Sequence, residues 1–169
     1  MAKHERLTGR RLLLGGSKSF RQLALPDAIK ALIDEAIKAG MTIIVGEAPG
    51  ANRLFQDHLK ARGYAKVIVG HAKSMRYNAG GWKTVPYGNN VHERETNMIG
   101  DCDSAIYIWA DSSGVIAENL EVLKRQGKPV FIYEYFNKTG KAEAGWLDPK
   151  RVYDPYYYWK EHMRKQKGK

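Results

Sequence analysis

The chain of 169 residues carries a net charge of +10 and is 43% hydrophobic, a size and composition that fit one soluble domain with a substantial core. No apolar run approaches the roughly 20 residues that span a bilayer, and the charged N-terminus lacks the apolar segment of a signal peptide. The single cysteine, Cys102, excludes an internal disulfide, and together these features favour a cytoplasmic protein without a membrane partner.

The first half of the chain alternates between predicted strands and helices. Residues 11–14, 41–45 and 67–70 are short apolar runs rich in residues that suit strands. Residues 26–38 place apolar side chains at helical spacing, and a second helix is predicted to end near Ala61.

Glycine-bearing turns follow the first two predicted strands, at residues 15–19 and 46–52. Glycine lets the backbone approach a ligand closely, and a lysine there adds positive charge, although glycines also serve simply to make turns. The candidate ligand-binding residues in the two turns are Gly15, Gly16, Ser17, Lys18, Gly46, Gly50 and Asn52.

Residues 71–90 show no sustained period and are predicted to form a long loop. The segment carries Arg76, Tyr77, Trp82 and Tyr87. These side chains would either stack on a ligand and close over the site, or pack among themselves as an insertion. Both interpretations remain open from the sequence.

The second half of the chain repeats the alternation, with a helix over 91–99, a buried strand over 105–109, a helix over 115–125 and a strand over 130–133. Ser112, Ser113 and Gly114 join the buried strand to its helix, where free N–H groups can hold an anion. Glu118 lies one turn further, facing whatever the anion is attached to. A glutamate here is also favoured simply by the helix dipole.

The C-terminal tail, residues 150–169, is aromatic and then basic. It holds seven basic and two acidic residues, and residues 1–11 hold four and one, whereas the middle of the chain is nearly balanced. The aromatic side chains are expected to pack on the body or on a second subunit. The basic ends make nucleic acid a possible partner, although such ends more often aid solubility.

The alternation of strands and helices predicts an α/β fold with a mostly parallel sheet covered on both faces. Right-handed crossovers favour five strands in the order 3-2-1-4-5. We expect a single domain over residues 1–149 with its core at 11–135. The turns after strands one, two and four then converge at the point where the strand order reverses, which is where such sheets bind ligands.

Three motifs resemble known families of one Rossmann-like superfamily, the SLOG grouping. The helix His92-Glu93-Arg94-Glu95 and the stretch from Gly114 to Glu118 resemble the "HERK" and "GGxGTxxE" motifs of the Lonely Guy phosphoribohydrolases. Residues 112–118 with 127–130 are similar to the "SxGVxxE…GKP" pattern of nucleoside deoxyribosyltransferase-like N-glycosidases. Residues 46–52 resemble a "GAPGAD" turn of the same superfamily. The fold implied is a Rossmann-like three-layer sandwich.

The resemblance implies hydrolysis of the N-glycosidic bond of a nucleoside 5′-monophosphate or related nucleotide. Glu118 would then be the catalytic carboxylate, and Arg94 would bind phosphate or stabilise the leaving group. An alternative for Arg94 is an ion pair with a neighbouring glutamate. Ser112, Ser113 and Gly114 would hold the phosphate, Gly15, Gly16 and Ser17 would approach the sugar or base, and relatives suggest a homodimer.

The sequence also departs from these motifs, and other functions stay open. Ser112, Ser113 and Val115 stand where the phosphoribohydrolases have glycines and threonine, which favours a nucleotide sensor that does not hydrolyse its ligand. DNA binding, by analogy with DNA-processing protein A, is a third hypothesis. We predict no cofactor and no metal site, because the five histidines are scattered along the chain.

Overall fold

The computed structural model describes residues 3–153, in which strands and helices alternate. The strands are β1 (Arg11–Gly16), β2 (Thr42–Gly46), β3 (Val67–His71), β4 (Lys83–Pro86), β5 (Ser104–Ala110), β6 (Val130–Tyr135) and β7 (Ala142–Trp146). The helices are α1 (Asp27–Lys38), α2 (Ala51–Ala61), α3 (Val91–Gly100) and α4 (Gly114–Arg125).

The strands form one sheet in the order β4-β3-β2-β1-β5-β6-β7. All neighbours pair in parallel except β6 and β7, which are antiparallel. The α/β class and the mostly parallel sheet are therefore confirmed. The prediction of five strands in the order 3-2-1-4-5 is wrong, because the sheet continues at each edge with a further strand, β4 beside β3 and β7 beside β6.

The two unpredicted strands lack the signal that identified the others. Within the part of the chain that the structure describes, β4 and β7 expose most of their residues, and neither contains an apolar run. An edge strand needs no strongly apolar sequence, because one side of it faces solvent. β4 lies in the segment 71–90 that was predicted to be a loop, and Pro86 at its end suits an edge position.

Alternation along the buried strands places a core on each face of the sheet. In β1, Leu12 and Leu14 pack with the apolar faces of α1 and α2, whereas Leu13 packs with α3 and α4. Both layers are made of the apolar stripes that the helical spacing predicts. Helices therefore cover the two faces, and the loops at the carboxyl ends of β1, β2 and β5 come together at one edge.

The last residues that the structure describes pack on the body of the protein. The Tyr153 ring is buried, with its centroid 5.9 Å from that of Trp109, and Arg151 forms a two-pronged ion pair with Glu134. We predicted that the aromatic tail packs on the body or on a partner. Apart from Tyr153, this prediction concerns residues 154–169, which lie outside the described residues. Over residues 3–153, none of the helices has the length and apolarity needed to cross a bilayer.

Candidate functional site

A cavity of about 310 Å³ lies at the carboxyl edge of the sheet, where the loops after β1, β2 and β5 meet. The start of α3 closes its remaining side. Its wall consists of Gly16, Ser17, Lys18, Ser19, Ala48, Asn52, Val91, Arg94, Glu95, Ser113, Val115 and Ile116.

Two helix N-termini reach this cavity without side-chain caps from the described residues. Helix α2 begins after Gly50 and helix α4 after Ser113, and neither cap residue makes a side-chain hydrogen bond to its helix. Neither helix has an acidic residue in its first turn. In α2 the Ala51 and Arg53 N–H groups already donate to the Ser17 and Gly50 carbonyls, so the unpaired N–H groups that face the cavity are those of α4. Such groups and the positive end of the helix dipole attract anions, and Lys18 adds a full positive charge beside them.

The backbone geometry of the second turn depends on Gly50. Its φ is 83°, and a Cβ there would lie 2.5 Å from the Lys18 carbonyl oxygen. The Ala51 N–H donates to the Ser17 carbonyl at 3.2 Å, which fixes α2 against the loop after β1. Only glycine allows this approach without strain, so Gly50 shapes the cavity through packing and not through a ligand.

Ser17 joins β1 to β5 beneath the cavity. Its N–H donates to the Ile108 carbonyl at 3.0 Å, and its hydroxyl oxygen accepts from the Ala110 N–H at 2.9 Å. Ser17 is buried, and these bonds hold the two strand ends together. The structure therefore gives Ser17 a backbone-bonding role in addition to its place in the wall.

A buried ion-pair network forms the cavity's inner side. Arg94 on α3 is 2% exposed, and its Nη1 donates to Oε1 of Glu47 at 2.6 Å. Glu47 follows β2 directly and is 1% exposed. Arg76 also binds Glu47, with Nε at 2.5 Å and Nη2 at 3.0 Å from its two oxygens. Burial alone would raise the pKa of Glu47, but the hydrogen bonds and charges of Arg76 and Arg94 lower it.

Glu95 is the carboxylate of the cavity wall. Its Oε1 accepts from Arg94 Nη2 at 3.0 Å, and its Oε2 accepts from the Asn119 side chain on α4 at 3.1 Å. The Glu95 side chain is 17% exposed. Arg94 therefore joins two carboxylates, one fully buried and one at the cavity surface.

Two buried polar atoms of the wall residues have no hydrogen-bond partner among residues 3–153. They are Nε of Arg94 and Oδ1 of Asn52. Buried polar groups are nearly always paired, because leaving one unpaired costs about 1–3 kcal/mol. Buried groups without partners are typical of sites where ordered water or an ion completes the hydrogen bonding.

The loop after β5 is strained. Asp111 and Ser112 have φ values of 52° and 54°, in the left-handed region that non-glycine residues rarely adopt. Asn137 holds the loop, because its N–H and side-chain amide donate to the Asp111 carboxylate at 2.9 and 2.7 Å. The same amide donates to the Ser19 carbonyl at 2.7 Å, so Asn137 links this loop to the loop after β1.

The structure brings some of the predicted site residues together and separates others. The predicted residues in the wall are Gly16, Ser17, Lys18, Asn52, Arg94 and Ser113. Those outside the wall are Gly15, Gly46, Gly50, Ser112, Gly114 and Glu118.

Packing accounts for several of the residues outside the wall. A Cβ on Gly15 would lie 2.4 Å from the Tyr107 ring, and one on Gly46 would lie 3.1 Å from the Asn52 amide. The Ser112 hydroxyl is buried away from the cavity and has no partner among the described residues. These two glycines lie in the last residues of β1 and β2, not in turns as predicted, and they allow close packing at the strand ends.

Glu118 lines a different cavity. That cavity, of about 570 Å³, lies between α3 and α4, and Glu118 is exposed there near His92 and Thr96. Within one chain, the predicted catalytic carboxylate and the predicted phosphate-binding loop therefore do not share a cavity. Its catalytic role stays a prediction.

Sequence reasoning missed Glu47 and Glu95 as site residues, and it named Arg76 only as part of a long loop that would stack on a ligand or pack as an insertion. Glu47 follows a buried strand within a glycine-bearing turn, a position that signals a polar residue at the carboxyl edge of a parallel sheet. Glu95 adjoins Arg94 in the helix that was already singled out. The pairing of Arg76 with Glu47 gave no signal in the sequence, since it depends on how a long segment folds back.

Comparison of the chain with protein-family models and with curated proteins found no match in either case. The family resemblance therefore stays a prediction. Within residues 3–153, no group of three or more histidine, cysteine, aspartate or glutamate side chains is placed to hold a metal ion.

Proposed function

We propose that the protein binds a mononucleotide or a closely related phosphorylated ligand in the 310 Å³ cavity. The observation that carries this proposal is the meeting of the uncapped N-terminus of α4 and Lys18 in one cavity, beside two buried polar atoms that have no partner among residues 3–153. An anion there would accept from the free N–H groups and from the lysine.

The wall combines three kinds of chemistry. Lys18 and the N-terminus of α4 suit a phosphate, Glu95 suits a group that donates hydrogen bonds, and Val91 and Val115 offer partly exposed apolar surface. A nucleotide has a matching phosphate, sugar and base. The volume lies at the low end of the range for ligand pockets, which favours a mononucleotide over a dinucleotide.

Calorimetry with AMP, adenosine and inorganic phosphate tests this proposal. We expect AMP to bind and adenosine to bind at least tenfold more weakly, since a charge-assisted hydrogen bond contributes about 1.5–3 kcal/mol. Lys18→Ala should weaken AMP binding about tenfold. Lys38→Ala, which removes an exposed lysine at the far end of α1, is the matched control. Absence of binding by AMP and other mononucleotides at millimolar concentration, or equal effects of the two variants, would contradict the proposal.

Hydrolysis of the N-glycosidic bond is a second candidate, favoured by the presence of Glu95 in the cavity. Water would add to C1′ as the bond to the base breaks, giving the sugar phosphate and the free base, which takes up the proton. The transition state carries positive charge at C1′, and a carboxylate can stabilise it. Chromatography of each nucleotide mixture detects the free base.

The variants Glu118→Gln and Glu95→Gln distinguish the contributions of the two carboxylates to base release. Loss of base release in Glu118→Gln with retained binding would support the role that the sequence predicts for Glu118. Loss in Glu95→Gln alone would move the reaction to the described cavity. Stable binding with no base released from wild type would support a sensor, which the position of Glu118 outside this cavity favours.

A further inference from the structure

We infer that Glu95 recognises the 2′,3′-diol of a ribose, so that the ligand is a ribonucleotide and not a deoxyribonucleotide. The inference rests on the proposed nucleotide site and specifies the sugar that this site accepts. It starts from the position of one carboxylate inside a cavity that otherwise suits an anion.

Glu95 is held in a fixed orientation by two neighbours. Arg94 donates to one of its oxygens and Asn119 to the other, at 3.0 and 3.1 Å. A carboxylate oxygen has two lone pairs, so each oxygen can still accept one further hydrogen bond. The side chain is 17% exposed and lines the cavity, so a ligand in the cavity can approach the carboxylate.

Charge decides what the two oxygens can accept. A phosphate beside Glu95 would be repelled, whereas Lys18 and the α4 N-terminus attract it. The part of the ligand at Glu95 must therefore donate hydrogen bonds. Two adjacent hydroxyl groups match the paired oxygens of a carboxylate, and carboxylates bind ribose hydroxyls in this way in dinucleotide-binding folds.

The base of a nucleotide can also donate hydrogen bonds, but the apolar surface of the cavity favours a position for the base away from Glu95. Val91 and Val115 line the same cavity and are 39% and 52% exposed, so they are accessible to a flat ring. Glu95 instead adjoins the buried Arg94. The sugar then lies between the phosphate at Lys18 and the base at the two valines.

Calorimetry with AMP, 2′-deoxy-AMP and IMP tests the inference on the full-length protein. We expect AMP to bind at least tenfold more tightly than 2′-deoxy-AMP, because the deoxy compound leaves a carboxylate acceptor unpaired. IMP, which lacks the amino group of adenine, should bind as AMP does. In Glu95→Gln the ribose preference should fall to less than threefold, since an amide offers only one acceptor oxygen.

Glu35→Gln is the matched control and should keep the full ribose preference, because Glu35 is exposed on α1 and lies outside the cavity wall. Thermal melting shows whether each variant folds, and Glu95→Asp serves as a second variant if Glu95→Gln does not. Equal affinity of wild type for AMP and 2′-deoxy-AMP would overturn the inference while leaving the proposed function intact. If Glu95→Gln weakened the binding of AMP but not that of IMP, Glu95 would recognise the amino group of the base, and this result would also overturn the inference. Failure of every nucleotide to bind would overturn both.

Discussion

At the residue scale, Glu47 connects three parts of the chain that are distant in sequence. It follows β2 and binds Arg94 from α3 and Arg76 from the segment after β3. A carboxylate that is 1% exposed is stable there only because two guanidinium groups compensate its charge. Because Arg94 also holds Glu95, the orientation of the cavity carboxylate depends indirectly on Glu47.

Glu47→Gln should lower the free energy of unfolding by about 3 kcal/mol at neutral pH, the scale expected when one partner of a buried ion pair is removed. The loss should depend on pH. The folded protein holds the pKa of Glu47 below its ordinary value of 4.5, so its stabilising contribution is complete above that value. The contribution is lost as the pH falls through the lowered pKa.

Urea denaturation of wild type and Glu47→Gln between pH 7 and pH 3 measures this dependence. The gap between the two curves should narrow as the pH falls below 4.5. Asp34→Asn is the control, because Asp34 pairs with His58 and Arg62 at the surface and should contribute less than 1 kcal/mol. A gap between wild type and Glu47→Gln that stays constant down to pH 3 would contradict the assigned ion pairs.

Ser112→Gly should raise the free energy of unfolding by about 1 kcal/mol. Ser112 combines a φ of 54° with a buried hydroxyl that has no partner among residues 3–153. Glycine removes both penalties, and this gain exceeds the extra entropy of the unfolded chain. Thermal melting checks the result. Gly50→Ala is the opposite control and should be destabilising, because its Cβ would meet the backbone of the first loop.

The same residues show what the sequence could not predict. Gly50 was correctly placed in a turn at the carboxyl edge, whereas Gly15 was predicted in a turn and lies in β1. The interpretation of both as ligand-approach residues depended on glycine alone. Whether a glycine makes room for a ligand or for a neighbouring side chain depends on tertiary packing, here on Tyr107 and Lys18. The sequence does not carry that information.

At the element scale, the predicted strands were those whose apolar residues must be buried. β1, β2, β3, β5 and β6 have this pattern, and β4 and β7 do not. The rotation of α4 about its own axis was also not predicted from the sequence. Its buried face is set by Ile116, Ala117, Leu120 and Leu123, and this turns Glu118 toward α3 and solvent. Helical spacing predicts which face of a helix is buried, but it does not predict which neighbouring element lies beside that face.

The segment 72–82 also shows how the choice between two interpretations depends on contacts. Trp82 donates from Nε1 to the Tyr64 carbonyl at 2.8 Å, and the Arg53 guanidinium lies 4.9 Å from the Tyr77 ring centroid. None of Arg76, Tyr77 and Trp82 lines the 310 Å³ cavity, as far as residues 3–153 define it. These contacts favour an insertion packed on α2 over a lid.

Gln56→Ala should release this segment. The buried Gln56 amide donates to the Gly46 and Tyr77 carbonyls and accepts from the Ala79 N–H at 2.9 Å. Its removal leaves these groups unpaired and should cost about 2 kcal/mol. Trypsin should then cleave faster after Lys73 and Arg76, as followed by mass spectrometry. Gln22→Ala, which removes one hydrogen bond to Tyr135 near the surface, should leave the cleavage rate unchanged.

At the scale of the whole molecule, the topology predicts where the site lies but not its chemistry. Parallel strands with helices on both faces bring the loops after β1, β2 and β5 to one edge, and this follows from the alternation in the sequence. The charge balance of the cavity does not. It depends on Glu47 and Glu95 neutralising Arg76 and Arg94, so that Lys18 and the N-terminus of α4 supply the positive potential.

Removal of residues 154–169 separates this site from any binding by the basic tail. The cavity wall lies between Gly16 and Ile116, and Tyr153 is already buried on Trp109. The truncated chain should therefore keep its affinity for AMP. The removed segment carries five basic and two acidic residues, so binding to a DNA duplex at 50 mM salt should weaken, with a smaller dependence on salt.

Fluorescence anisotropy with a labelled duplex at 50 and 200 mM salt measures that change. A truncation that leaves DNA affinity and its salt dependence intact would show that the tail is not the DNA-binding element. A truncation that abolishes AMP binding instead would mean that the nucleotide site extends beyond Tyr153. Because one measurement uses DNA and the other uses AMP, the roles of the tail and of the cavity can be assigned independently of each other.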